Sequence, residues 1–273
     1  MAADARALLD GLLADLAAET ADLDRVLAGL TAAGWERPTP AAGWAVRDQV
    51  SHLAYFDEAA ALAVTDAGRF RAEAAALAAA GPDFPDQVAA RYRSLPAPEL
   101  LGWFRTARGG LAAVFAAADP AARLPWYGPP MSPASSVTAR LMETWAHGQD
   151  IADAAGVARE PTGRLRHVAH LGVRTLGHSF TLRGRPVPGT PVRVELGAPD
   201  GGTWTWGPAG AADTVRGPAL DFCLVVTQRR NLADTALRAD GPVAAEWLSI
   251  AQAFAGAPGP GRPPAGGTEG AAS

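Results

Sequence analysis

The sequence predicts an α+β protein: a four-helix bundle at the N-terminal side, followed by a smaller mixed α+β domain. Two observations carry this. Apolar residues recur at three- and four-residue steps through most of the first half, and period-two alternation replaces them at Val192-Arg193-Val194-Glu195-Leu196 and Thr203-Trp204-Thr205-Trp206. With 273 residues and 48% hydrophobic content, the chain is long enough for two separate cores.

Helix by helix, the pattern runs as follows. Leu9, Leu12, Leu13, Leu16, Leu23, Leu27 and Leu30 share one face, which predicts a first helix from about residue 3 to about residue 32. Gly34-Trp35-Glu36-Arg37-Pro38-Thr39-Pro40 cannot continue it. Trp44-Ala45-Val46-Arg47-Asp48 then opens a second helix that runs through His52 to about Val64. Residues 67–80 read as a shorter Ala-rich helix, which Gly81-Pro82-Asp83-Phe84-Pro85 breaks. Pro98 stands at the start of a third main helix carrying Leu100, Leu101, Phe104, Leu111 and Phe115. Five prolines between residues 119 and 133 surround Trp126-Tyr127-Gly128. After them, Val137, Leu141, Trp145 and Ile151 mark a fourth main helix ending near Gly156.

Beyond Pro161 the character changes. Arg164 to about Phe180 reads as helix, and Pro199-Asp200-Gly201-Gly202 joins the two alternating strands into a hairpin. Pro218 to Arg229 reads as a buried helix, Thr235–Ala239 as a short strand and Val243–Phe254 as a closing helix. The expected division is a bundle over residues 1–158, an α+β domain over 159–256, and a Pro/Gly/Ala-rich disordered tail over 257–273.

Composition narrows the function. The formal net charge is −4, all 24 basic residues are Arg, and no basic stripe occurs, which weighs against a nucleic-acid partner and against RNA-modification work. Cys223, the single cysteine, lies in the apolar run Leu220–Val226 and reads as a small buried hydrophobe, so no intrachain disulfide forms. Asp4, Arg6, Asp10 and Asp15 interrupt the Leu-rich start before any signal or membrane stretch develops. A cytoplasmic monomer or homodimer without a membrane partner is the expectation. Phosphate-binding and serine-hydrolase motifs do not occur.

The chemistry concentrates in Glu143-Thr144-Trp145-Ala146-His147-Gly148-Gln149-Asp150. At about 100° per residue, Glu143, His147 and Asp150 fall within roughly 60° of one another, with Trp145 on the opposite side. Alone, a Glu and a His four residues apart describe many helix surfaces. His52 adds a third donor on a neighbouring helix, and a His₂Glu set from facing helices is the way bundles build metal sites with an open fourth position. His167, His170 and His178 share a helix with Arg166 and Arg174 but no carboxylate, and read as polar surface.

The run Gly43-Trp44-x-Val46-Arg47-Asp48-x-x-x-His52-Leu53, followed later by Glu143-x-x-x-His147-Gly148-x-Asp150, resembles the DinB-like metal-binding bundles. Within them it is most similar to the mycothiol-dependent maleylpyruvate isomerase type, whose second domain is sterol-carrier-like. The resemblance implies His52, Glu143 and His147 as ligands of one divalent metal, zinc first, with nickel, iron or manganese able to take the same set. It also implies mycothiol or another low-molecular-weight thiol as cofactor and an electrophilic small molecule as substrate. Thiolate addition, bond rotation and elimination would give isomerisation; addition followed by loss of a leaving group would give S-transfer. An arginine of the second domain would meet a substrate carboxylate, and Arg229 in Gln228-Arg229-Arg230 is the choice. Asp150 on the same helix face would orient a ligand histidine, with a place as fourth ligand the alternative. The loop Trp126-Tyr127-Gly128-Pro129-Pro130-Met131-Ser132 does not match the isomerase itself and points to a sister group with another substrate. The alternative is a non-catalytic metal-binding or stress-response module of the same fold.

Overall fold

The computed structural model describes residues 2–79, 81 and 83–265. It divides into two compact units, residues 1–159 and 160–273.

The first unit is helical. Helix α1 (Ala2–Ala28) ends four residues short of the expected limit, because Gly29 and Leu30 turn their N–H groups back to the carbonyls of Val26 and Leu27 in tight i−3 bonds. Thr31 then restarts the chain. Its hydroxyl accepts from Gly34 N–H at 3.2 Å and caps the one-turn α2 (Ala32–Trp35). Asp48 takes the Ala45 N–H at 2.8 Å to open α3 (Val46–Thr65). Helix α4 (Ala67–Ala79) follows as expected. The Gly81–Pro85 segment does not remain a loop, however: Phe84–Arg91 forms α5, with Pro85 in its first turn, where a missing N–H costs nothing. Helix α6 (Ala97–Ala117) leads to the Pro-rich loop, which Leu124 and Met131 close by exchanging backbone hydrogen bonds of 2.8 and 2.9 Å. Ser132 caps α7 (Pro133–Ala155), and Gly156 ends it in the left-handed conformation at φ 71° that a side chain would strain.

Helices α1, α3, α6 and α7 form the bundle, with α3 packed on both α6 and α7 and α1 on α7 and α6. Leu23, Leu27, Trp35, Val50, Leu53, Leu100, Phe104 and Ile151 fill one continuous core. Helices α3 and α7 therefore pack against each other over a shared core, which fixes where their polar residues can meet.

In the second unit the helix expected from Arg164 to Phe180 is two helices, α8 (Leu165–Arg174) and α9 (Leu176–Leu182). Thr175 breaks them and returns its hydroxyl to the Leu171 and Gly172 carbonyls at 3.0 Å. Strands β1 (Val192–Gly197) and β2 (Thr203–Trp206) make the expected hairpin. A strand absent from the sequence reading, β3 (Asp213–Pro218), runs parallel to β1, and β4 (Arg238–Asp240), later than expected, completes a sheet of order β2-β1-β3-β4. Asp213-Thr214-Val215 is buried throughout and so lacks alternation, and Asp213 serves a helix, accepting from Ala244 N–H at 2.9 Å. Helix α10 (Ala219–Val226) packs on α8, so closely that a Cβ on Gly172 would meet Val226 at 2.8 Å. Helix α11 (Pro242–Ile250) stops before the expected Phe254. Of the C-terminal stretch expected to be disordered, residues 257–265 are described: Gly259 accepts from Arg183, Arg262 from Asn231, and Ala265 donates to Asp234. Residues 266–273 lie outside the described residues.

Candidate metal centre

Helix α3 carries Gln49, His52 and Phe56 on one stripe, and α7 carries Arg140, Glu143 and His147 on another. The packing of α3 on α7 brings the two stripes together. Glu143 Oε2 lies 3.1 Å from His147 Nε2 and 3.8 Å from His52 Nε2, and one donor atom of each residue lies within 4.8 Å of the others. Two donors on one divalent ion, each about 2.0–2.2 Å away, stand roughly 3.0–3.5 Å apart, so the spacing suits a single shared ion. Among the described residues this is the one cluster of its kind.

The protonation states suit the same role. Gln49, fully buried, donates its Nε2 to Thr39 Oγ1 at 2.8 Å, and that hydroxyl donates on to the Trp44 carbonyl at 2.8 Å. The amide oxygen of Gln49 is thereby turned toward His147 Nδ1, with which it is hydrogen-bonded. An oxygen there can only accept, so Nδ1 carries a proton, and Nε2 is the ring nitrogen turned to Glu143. Burial, followed by the nearby His147, pushes the His52 pKa down to about 4, so this ring is neutral at physiological pH. Burial alone would raise Glu143, but its contacts with His147 and His52 outweigh it and hold the carboxyl well below the usual range. A neutral His52 imidazole and an ionised Glu143 carboxylate are the forms that bind a metal.

Aromatic rings wall the centre. Trp44 stacks on His147 at 5.8 Å and leans on His52 at 5.3 Å, its indole N–H tied to Asp86 at 2.6 Å, and Phe56 packs on His52 at 4.6 Å. The His52 and His147 side chains are 12% and 10% exposed but Glu143 is 21% exposed, so the centre opens on the carboxylate side.

The other expected residues fall as follows. Trp145 is buried away from the donors, under the guanidinium of Arg159 at 5.9 Å. Asp150 is buried on α7 outside the donor cluster, and the partner of the His147 ring is Gln49. His170 Nδ1 accepts from Trp206 Nε1 at 3.3 Å. Arg229 lies in the second unit just past α10, where Gln228 takes a left-handed φ of 59° and Arg229 donates to the Thr227 carbonyl at 2.6 Å. Gln49 was missed by the sequence reading. Its position three residues before His52 was the available signal.

Comparison with known proteins adds the lineage. The family model described as the mycothiol maleylpyruvate isomerase N-terminal domain matches residues 16–152, and a model described as wyosine base formation matches residues 188–240. An uncharacterized protein of Mycobacterium tuberculosis, found in strains CDC 1551 / Oshkosh and ATCC 25618 / H37Rv, is 50% identical over 251 residues, which cover 92% of this chain and 97% of that protein. The crystal structure of the mycothiol-dependent maleylpyruvate isomerase matches with a TM-score of 0.59 at 16% identity, over 86% of this chain and 95% of that one. A histidine-to-alanine mutant of that enzyme matches at 0.60 and 15% over the same shares. At such identity the two structures speak for the fold. Among the described residues, no helix is long and apolar enough to cross a membrane.

Proposed function

The chain belongs to the family of the mycothiol maleylpyruvate isomerase N-terminal domain, and from that premise we propose that it is a metal-binding, thiol-dependent isomerase or S-transferase acting on an electrophilic small molecule. The observation that carries the reading is the convergence of His52, Glu143 and His147, from two facing helices, into one spacing that suits a single ion. Zinc is the proposed metal and mycothiol, or another low-molecular-weight thiol, the proposed cofactor.

In this reading His52 and His147 offer Nε2, Glu143 offers Oε2, and Gln49 holds the His147 ring in the one tautomer that leaves Nε2 bare. A bound divalent ion would supply the Lewis acidity that keeps a thiol sulfur deprotonated at neutral pH. Trp44 and Phe56 exclude water from the histidine side, and the exposed edge of Glu143 leaves the approach for thiol and substrate. Arg229 is proposed as the cation for a substrate carboxylate, a task suited to its planar fork.

The direct test is turnover of unsaturated carboxylic acids with metal and thiol supplied separately and together. Turnover that requires both supports the reading. Metal uptake with no thiol binding would make the chain a metal-binding module without this chemistry.

A further inference from the structure

Asp57 on α3 faces two guanidiniums in the bundle interior. Its Oδ2 accepts from Arg108 Nε at 2.7 Å and its Oδ1 from Arg140 Nε at 3.0 Å, with all three side chains buried. Arg108 is well satisfied, since its Nη1 donates to Thr20 Oγ1 at 2.6 Å and its Nη2 to Thr144 Oγ1 at 2.9 Å. Arg140 is not. Its side chain is 4% exposed, yet Nη2 is buried with no hydrogen-bond partner. Glu19, the other buried carboxylate whose charge reaches Arg108, is paired with Arg159. One carboxylate thus serves two guanidiniums, and Nη2 of Arg140 is the donor left over.

A buried charged donor without an acceptor is costly, and a well-packed apolar side chain would usually serve stability better. Such a group in a native interior calls for an explanation. Its place supplies one. Arg140 precedes Glu143 by three residues and His147 by seven, on the stripe of α7 that faces the donors. Its partner Asp57 follows Phe56 on α3, and the Phe56 ring packs on His52 at 4.6 Å and on Tyr127 at 5.6 Å. Arg140 therefore stands on the donor-bearing face of α7, with its buried Nη2 unpartnered.

We propose that Arg140 is an anion-binding residue at the edge of the metal centre, receiving a carboxylate or similar planar oxyanion of a small molecule at Nη2. The inference deepens the proposed function, and it rests on that reading for the identity of its neighbour. Charge balance agrees with it. The formal charges of Arg108, Arg140, Asp57 and Glu143 cancel; a bound divalent ion would add two positive charges, which a thiolate and a carboxylate held at Arg140 would together match.

The test is calorimetric titration of the full chain with acetate and with malonate, metal-free and zinc-loaded, in the parent, R140K and R140M. The expected result is saturable one-to-one binding in the parent, about tenfold or more weaker in R140K, whose ammonium cannot present a planar fork, and absent in R140M, with metal content unchanged. Should R140M fail to fold because Asp57 loses a partner, R140K, which keeps the charge, decides the matter. Equal acetate affinity in the parent and R140K, or no saturable binding in the parent, overturns the proposal and leaves Nη2 to a water molecule. Binding to the metal-free parent that weakens in R140K supports Arg140 even where no metal is taken up. Metal and thiol binding without any Arg140-dependent anion binding removes this inference and leaves the proposed function standing.

Discussion

Gln49 on α3 and His147 on α7, 98 residues apart in the chain, are joined by a buried hydrogen bond that sets which nitrogen of the histidine is turned to Glu143. Thr39 fixes the amide from its other end, so the tautomer follows from the fold and not from the solvent. Replacing Gln49 by Leu should leave the bundle folded and lower zinc affinity about 10–100-fold, the usual cost of losing the group that orients a ligand. Chelator competition measures this. Unchanged affinity would mean that the ring needs no such orientation.

The metal-free protein should lose stability as the pH falls. In the unfolded chain His52 takes up its proton near pH 6.5; in the folded chain it does so only near pH 4, because burial opposes the charge. The unfolded state therefore binds more protons across that window. Its contribution is present above pH 6.5 and falls away toward pH 4, by about 3 kcal/mol. Glu143, held low in the fold, acts in the same direction at lower pH. Chelator-treated parent and His52→Leu proteins unfolded in urea between pH 7 and pH 4.5 should diverge, with the parent losing more. Parallel curves would refute the assignment.

Asp57→Asn should be among the most damaging substitutions of the bundle. It removes the carboxylate shared by Arg108 and Arg140 and leaves two buried guanidiniums uncompensated, a loss of about 3–5 kcal/mol. Urea unfolding gives the value, and a loss under about 1 kcal/mol would show that water reaches the cluster.

For Arg229, substitution by Ala should leave metal content and thermal midpoint unchanged while raising KM for a carboxylate-bearing electrophile. Kinetics at fixed thiol concentration provide the measurement. Unaltered kinetics would confine Arg229 to its place at the end of α10, where it donates to the Thr227 carbonyl.

The bundle was legible in the sequence because Leu9 to Leu27, Leu100 to Phe115 and Val137 to Ile151 keep helical spacing over many turns, so no single residue decides the outcome. Shorter elements were not. Pro85 reads as a breaker and proves to be a first-turn residue of α5, while β3 is too polar at Asp213 and Thr214 to read as a strand and forms because β1 lies beside it. In the centre, Glu143 and His147 were legible from their four-residue spacing. Gln49 and Arg140 were not, since a glutamine or arginine in an amphipathic helix means nothing until the facing helix shows what it meets.

The central claim is most directly tested by elemental analysis of the purified protein beside its His52→Ala and His147→Ala variants, followed by titration of the cobalt-substituted parent with a small thiol. The account predicts about one metal per chain in the parent, its loss in both variants, and a thiolate charge-transfer band on titration. Metal retained in both variants, or none in the parent after reconstitution, would contradict it.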